Sequence, residues 1–150
     1  MAGSELVAPS RRLTLEGARV IVAAVEEKAN QIGVPMDIAV VDDGGNLLAF
    51  ERMDGAKITS IDIAINKAFT AACTRRPTAD YAEIAGAGKP AFGIHVSNQG
   101  RFVIFGGGVP IFADGQPVGG VGCSSGSAEQ DAACAQAGVD ALMARLPGSS

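Results

Sequence analysis

Apolar residues recur at helical spacing in two long stretches in the first half of the chain. The first stretch, residues 15–32, follows Thr14, whose hydroxyl can cap a helix, and it ends before Gly33. The second stretch, residues 60–74, begins at a serine and ends shortly before Pro77. The pattern therefore predicts a helix in each stretch.

A short helix is also expected at residues 78–85. The end of the chain predicts a third long helix. Ser127 comes just before the apolar repeat, and Gln130 follows it three residues later, which is the pattern of a capping box. This pattern predicts a helix that begins beside Ser127 and extends to about residue 146.

Between these helices the apolar residues alternate or form short runs, which is typical of strands. Turn residues separate the runs at 43–45, 98–100 and 114–115. Two strands are predicted in segment 36–53. One strand is predicted in each of the segments 92–97, 101–105, 109–113 and 116–124. Because strands joined by tight turns pair antiparallel, we expect an α+β fold, with an antiparallel sheet of about five strands and helices packed on it.

The size and charge of the chain limit its architecture and its partners. With 150 residues, 47% of them hydrophobic, it is long enough for one packed domain. We expect that domain at residues 13–146, between tails at 1–12 and 147–150. A net charge of −4 argues against nucleic acid or an anionic membrane as the main partner. The apolar excess favours a homo-oligomer.

No segment predicts export or membrane insertion. No apolar run reaches the roughly 18–20 residues that cross a bilayer, and residues 1–20 hold no apolar run after a basic start. We therefore expect a cytoplasmic protein. The three cysteines lack a Cys-x-x-Cys spacing, which indicates free thiols rather than a zinc site or a disulfide framework.

Three consecutive glycines lie between two apolar runs. Gly106, Gly107 and Gly108 are followed by Pro110 and a strand pattern, whereas a phosphate-binding loop leads into a helix. A tight turn or bulge explains these glycines, and so does a ligand that lies against bare backbone. The four residues are therefore candidate ligand contacts.

Residues 122–126 match the Gly-x-Ser-x-Gly pattern of hydrolase nucleophiles. The single histidine of the chain precedes this segment, which is the wrong order for an α/β-hydrolase. We favour instead a helix N-terminus, at which Ser124 and Ser125 hold a carboxylate.

Two polar side chains lie among apolar neighbours and are candidate catalytic residues. His95 is predicted on a strand, as a structural residue or as a base or metal ligand. Lys67 lies in an apolar helix stretch, where it either extends to solvent or binds an anion. Arg52 and Asp54 follow a predicted strand and are candidate ligand contacts, although a solvated turn explains them as well.

Five stretches taken together go beyond what the pattern alone says. In chain order they are VVDDGGNLLAFERMDGA, INKAFTAA, SNQGRFVIFGGGVPI, GQPVGGVGCSSG and EQDAACAQAG. They resemble the GlcG/HbpS-like family, which includes the haem-binding protein HbpS and the C-terminal domain of PduO-type adenosyltransferases. The resemblance implies a profilin-like sandwich that assembles into dimers and often octamers, and it assigns the triple glycine to a glycine-rich hairpin.

The resemblance also implies a ligand, since family members are associated with haem, iron and corrinoid metabolism. It points to haem or a similar anionic cofactor in one pocket that combines the backbone of residues 106–108 with Lys67, Arg52 and His95. His95 is then the first candidate for an axial haem ligand. Lys67, Arg52 or Arg101 would contact the propionates.

Two other functions stay open at this point. An enzyme acting on a small organic acid or carbonyl compound would use Lys67 or His95 as acid or base, and Arg101 or the amides near Ser124 for the carboxylate. An oligomeric accessory protein would have no chemistry of its own.

Overall fold

One four-stranded sheet lies between two layers of helices. The computed structural model describes residues 5–148. In chain order its main elements are α1 (Leu15–Ile32), β1 (Asp37–Asp42), β2 (Leu47–Arg52), α2 (Ser60–Thr74), α3 (Ala79–Ile84), β3 (Gly108–Ala113), β4 (Gln116–Ser124) and α4 (Ala128–Arg145). The strand order is β2-β1-β4-β3, with antiparallel pairing throughout. The expected α+β class is confirmed, with four strands instead of about five.

The helix boundaries follow the capping residues. The hydroxyl of Thr14 accepts a hydrogen bond from the N–H of Gly17 (3.1 Å), and Gly33 ends α1 in left-handed backbone with φ +71°. At α4, Ser127 and Gln130 form the reciprocal hydrogen bonds of a capping box. The predicted starts of both helices are confirmed, because contacts between near neighbours in sequence set them.

Strand β1 is buried on both faces, and each face packs against a different helical layer. Ile38 and Val40 belong to the main core, which includes residues of α1 and α4. Ala39 and Val41 point to the opposite face and pack against alanines of α2. The side chains between β1 and α2 are therefore mostly small, and α2 lies close to the sheet.

Glycines on β3 and β4 let the backbone of α2 pack directly on the strands. A Cβ atom at Gly122 would collide with the carbonyl oxygen of Ala64. A Cβ atom at Gly108, the last of the three consecutive glycines, would collide with the carbonyl oxygen of Lys67. Close contact between a helix and two strands is thus the structural reason for these glycines.

The strands predicted at 92–97 and 101–105 are wrong. The chain forms two 3₁₀ turns in this region, Ile94–Val96 and Asn98–Gly100, followed by irregular backbone. Gly93 has a φ of +98°, and the N–H groups of Val96 and Ser97 donate to carbonyl oxygens three residues earlier, which is incompatible with an extended strand at 92–97. Residues 101–105 belong to no strand of the sheet.

The apolar side chains of this irregular region form a small cluster against α3. Phe102 packs edge-on against Tyr81, with ring centroids 4.8 Å apart, and Ile84 and Ile94 pack beside them. The apolar alternation that predicted strands is therefore used for packing on a short helix.

Candidate functional site

An open cleft of about 420 Å³ lies between α2 and the irregular segment 95–105. Its lining residues are Asp62, Ile63 and Asn66 of α2, and His95, Gly100, Phe102, Val103, Ile104 and Phe105 of the segment. Two aromatic and three aliphatic side chains make most of this lining apolar. An apolar wall with a few polar groups is typical of a small-molecule site.

His95 lies in this cleft on the first 3₁₀ turn, and not on a strand as predicted. Its ring lies edge-on to the exposed ring of Phe92, with centroids 5.9 Å apart. The Nδ1 atom is buried and has no hydrogen-bond partner among the described residues. Because burial closes Nδ1, a ligand that binds the ring of His95 requires Nε2.

Lys67 is buried behind the ring of Phe105. Its side chain is 1% exposed, so it does not extend to solvent. Its ammonium group donates hydrogen bonds to Oδ2 of Asp131 (2.6 Å) and to the carbonyl oxygen of Cys123 (3.0 Å). The nitrogen lies 5.1 Å from the centroid of the Phe105 ring, within the range of a cation–π contact.

Asp131 accepts hydrogen bonds on both carboxylate oxygens. Oδ2 accepts from Lys67, and Oδ1 accepts from the backbone N–H of Gly126 (2.9 Å). One side chain of α4 therefore connects α2 to the loop that precedes α4. From the sequence, Asp131 is only an acidic residue in the first turn of a helix. The apolar setting of Lys67 indicates that a buried ammonium would require a counter-charge, but it does not indicate which acidic residue supplies it.

The two candidate serines lie at the end of β4, in the loop before α4. Ser124 is buried, and Ser125 has a φ of +116°. The hydroxyl of Ser125 accepts a hydrogen bond from the backbone N–H of Lys57 (3.0 Å), while the N–H of Gly126 is taken by Asp131. These contacts hold the loop in place. A role of the two serines in carboxylate binding stays a prediction.

The glycines at 106–108 cover the side chain of Lys67. A Cβ atom at Gly107 would lie 2.5 Å from Nζ of Lys67. The N–H of the next glycine donates to Oγ1 of Thr78 (2.9 Å), and Pro110 is buried in β3. The glycine segment therefore closes one side of the Lys67 site. Its contact with a ligand stays a prediction.

Arg101 lies beside the cleft and contacts its wall through Asn66. The guanidinium carbon of Arg101 lies 3.8 Å from the centroid of the Phe69 ring, and its Nε donates to Oδ1 of Asn66 (3.2 Å). Asn66 in turn donates to Asp62 (3.1 Å). These contacts place one fixed positive charge next to the polar part of the cleft.

Arg52 and Asp54 line a separate cavity of about 350 Å³ at the end of β2. Glu26, Asn30 and Glu51 also line it. Burial raises the pKa of Glu51, and the neighbouring carboxyl of Glu26 raises it further. Of the residues expected in one pocket, His95 lines the cleft, Arg52 lines this separate cavity, and Lys67 and residues 106–108 are in the lining of neither.

Asp37 is a buried carboxylate that the sequence analysis did not single out. Its side chain is fully buried, and neither oxygen has a hydrogen-bond partner among the described residues. Loss of hydration raises the pKa of Asp37, and the charge of Arg52, its cross-strand neighbour on β2, partly opposes that rise. The available signal was an acidic residue at the start of an otherwise apolar strand.

Residues 5–148 contain no helix that is long and apolar enough to cross a membrane. Within the same residues, no three side chains of His, Cys, Asp or Glu come together as a metal-binding group. The expectation of free thiols is confirmed for Cys73, which is exposed, and for Cys123 and Cys134, which are buried.

Comparison with known proteins assigns the chain to a family. The sequence pattern of the family described as haem degrading protein HbpS-like matches residues 13–140. The chain belongs to the HbpS-like family. It is 44% identical to an uncharacterized 15.0 kDa protein in the dhaT-dhaS intergenic region of Citrobacter freundii, over 85% of this chain and 90% of that protein.

Solved structures of similar proteins share the HbpS-like fold. The crystal structure of Klebsiella pneumoniae protein ORFY matches with a TM-score of 0.93 at 37% identity, covering 97% of this chain and 99% of that one. The PduOC:Heme complex matches with a TM-score of 0.83 at 33% identity, covering 87% of this chain and 94% of that one. The resemblance predicted from the sequence stretches is confirmed.

Proposed function

We propose that this HbpS-like protein binds a tetrapyrrole, with haem as the first candidate, or a similar anionic small molecule. The binding site is the cleft between α2 and segment 95–105. The observation that carries the proposal is the lining of this cleft, which brings Phe102, Phe105 and His95 together. A relative at 33% identity, PduOC, is known as a complex with heme, which supports the proposal.

The residues present fit a flat and largely apolar ring. The aromatic and aliphatic side chains of the cleft favour a ligand that removes their surface from water. Imidazole nitrogen is a common haem ligand, and Nε2 of His95 is the candidate for that role. When bound, haem would supply an iron centre whose properties depend on that ligand and on the polarity of the cleft.

The carboxylates of such a ligand require cations near the cleft. Arg101 lies beside it through its contact with Asn66, and Lys67 lies behind Phe105. Both remain candidates for contacts with propionates. Arg52 lines the separate cavity, so the proposal does not use it.

The proposal includes self-association into a dimer or an octamer. Ile58, Phe92 and Val96 are 73%, 62% and 72% exposed, and exposed apolar side chains of this size favour burial against another chain. Light scattering after size-exclusion chromatography tests this part, and a monomer at micromolar concentration overturns it. The cytoplasmic location stays a prediction.

The haem proposal is tested by titration with haemin, followed through the Soret band. We expect saturable, stoichiometric binding by the wild type and a loss of affinity of about tenfold or more in His95→Ala. Arg52→Ala is the matched control, because it removes a side chain that lines the separate cavity. This variant should bind haemin with the affinity of the wild type. A weak, non-saturating shift that is the same in all three proteins overturns the proposal.

A second candidate function is an enzyme acting on a small organic acid or carbonyl compound. The buried pair of Lys67 and Asp131 beside the cleft favours it, because proton transfer requires such groups close to a substrate. In this function Lys67 or His95 acts as acid or base, and Arg101 holds the carboxylate. NMR of mixtures with hydroxy acids and aldehydes tests for turnover. If the protein shows neither turnover nor haemin binding, an accessory oligomer without chemistry of its own is the function that remains.

A further inference from the structure

One aromatic ring separates the ammonium group of Lys67 from the cleft. An ammonium group has three N–H donors. Two of them bind Asp131 and the carbonyl oxygen of Cys123. The ammonium also faces the ring of Phe105, which lines the cleft. The third donor has no oxygen acceptor among the described residues, and the π-face beside the ammonium is a weaker partner than an oxygen atom.

Phe105 is placed so that its ring can move. It is 45% exposed and lies in irregular backbone, directly before Gly106 and Gly107. Exposed side chains change rotamer rapidly, so the ring can move without a change in the closely packed glycines. Phe102 differs in this respect, because it is buried and packed against Tyr81.

The cation behind Phe105 is held in a fixed position. Its two hydrogen bonds anchor it to β4 and α4, and the backbone of Gly107 leaves no room for a side chain above it. A hydrogen bond from an ammonium to a carboxylate is stronger than a cation–π contact at a partly exposed ring. A carboxylate that replaces the Phe105 ring therefore gives the third donor a stronger acceptor, a gain opposed by repulsion from the carboxylate of Asp131.

We propose that Lys67 forms an inner carboxylate-binding subsite of the cleft, and that the ring of Phe105 covers this subsite until a carboxylate displaces it. The inference rests on the proposed function for the nature of the ligand. It assigns one propionate of a tetrapyrrole to Lys67, which leaves Arg101 for the other.

Two ligands that differ only in their carboxylates test the subsite. Haemin carries two free propionates, whereas haemin dimethyl ester carries none. We expect the wild type to bind haemin about tenfold more tightly than the ester. The net charge of −4 acts against this preference, so a non-specific charge effect would not produce it.

The variants locate the preference at Lys67. The double variant Lys67→Met/Asp131→Asn removes both buried charges together, and it should reduce the preference for haemin over the ester to the part that Arg101 supplies. Lys89→Met is the matched control, since it removes an exposed lysine elsewhere and should keep the preference. Far-UV circular dichroism checks that each variant is folded.

A chemical footprint keeps the test independent of the double variant's folding. In Phe105→Ala, acetic anhydride should acetylate Lys67 several-fold faster, relative to Lys89, than in the wild type. Haemin should suppress that acetylation and the ester should not, as measured by peptide mass spectrometry. A Lys67 that is equally protected in the wild type and in Phe105→Ala overturns the role of Phe105 as a cover.

The outcomes separate the subsite from the proposed function. Equal binding of haemin and the ester by the wild type overturns the carboxylate subsite and leaves haem binding standing. No saturable binding of either ligand overturns the proposed function, and the subsite with it.

Discussion

Lys67 and Asp131 form a buried ion pair of 2.6 Å between helices that pack on opposite faces of the sheet. Their side chains are 1% and 3% exposed. The pair therefore joins the two helical layers at the end of β4, next to the cleft.

Removal of one member of this pair should destabilise the fold strongly. Lys67→Met leaves the carboxylate of Asp131 buried without its counter-charge, so we expect a loss of about 3–5 kcal/mol in the free energy of unfolding. Urea denaturation measures it. Arg76→Met is the control, because it breaks an exposed pair with Asp80 and should cost about 1 kcal/mol or less. Equal losses in the two variants would contradict a special role for the buried pair.

Asp37 should make stability depend on pH. Its pKa is raised in the folded state, so the folded protein holds that proton more tightly than the unfolded chain does. The stabilisation that this bound proton gives to the folded state is present at acidic pH. It is lost as the pH rises from the ordinary pKa of 3.8 through the raised pKa of Asp37. Asp37→Asn removes the carboxylate. The free energy of unfolding of this variant, relative to that of the wild type, should rise across this pH range and then level off.

Urea titrations at a series of pH values measure this difference. Asp54→Asn is the matched control, since it makes the same substitution at an exposed position. The explanation fails if both variants give the same pH profile.

Gly122→Ala should weaken the contact between α2 and the sheet. The added Cβ would collide with the carbonyl oxygen of Ala64, which is backbone and cannot rotate away, so we expect a cost of about 2–3 kcal/mol. Gly86→Ala is the control, because the nearest atom to its added Cβ lies 3.8 Å away. Thermal unfolding of the two variants should differ clearly, and similar midpoints would argue against close packing at Gly122.

Ser127→Ala should destabilise α4 by about 1 kcal/mol. It removes the hydroxyl that accepts a hydrogen bond from the N–H of Gln130, and with it one half of the capping box. Ser10→Ala, at an exposed position before α1, is the control and should have no measurable effect. Chemical denaturation monitored by circular dichroism gives both values.

Features with local causes could be predicted from the sequence. The starts of α1 and α4 depend on Thr14 and Ser127, which bond to backbone groups three residues further along the chain. These bonds can be inferred from residue order alone. The same holds for the hairpin between β1 and β2, where Asp42 accepts hydrogen bonds from the next residues of the turn.

Segment 92–105 could not be assigned in this way. Its apolar alternation is compatible with a strand, but residues 94–96 form a 3₁₀ turn. Phe102 packs on Tyr81 and Ile94 packs beside them, which are contacts between residues distant in sequence. Alternation alone does not distinguish apolar residues of a strand from apolar residues that pack on a short helix.

The candidate site depends on similar long-range contacts. The sequence singled out Lys67 and His95, but Asp131 lies 64 residues from Lys67 and carried no distinguishing pattern. Arg52 was grouped with them although it lies at the end of β2 beside a different cavity. Residue types indicated which side chains could do chemistry, whereas their grouping required the fold.

The close packing of α2 on glycines has a consequence for how the cleft can adapt to what enters it. One wall belongs to a helix whose backbone already touches the strands, so that wall cannot recede. The opposite wall is irregular and carries the exposed ring of Phe105. We expect accommodation of ligand thickness to come from the 95–105 side, so that substitutions there change which ligands are admitted. Substitutions on the buried face of α2 should instead change whether the protein folds.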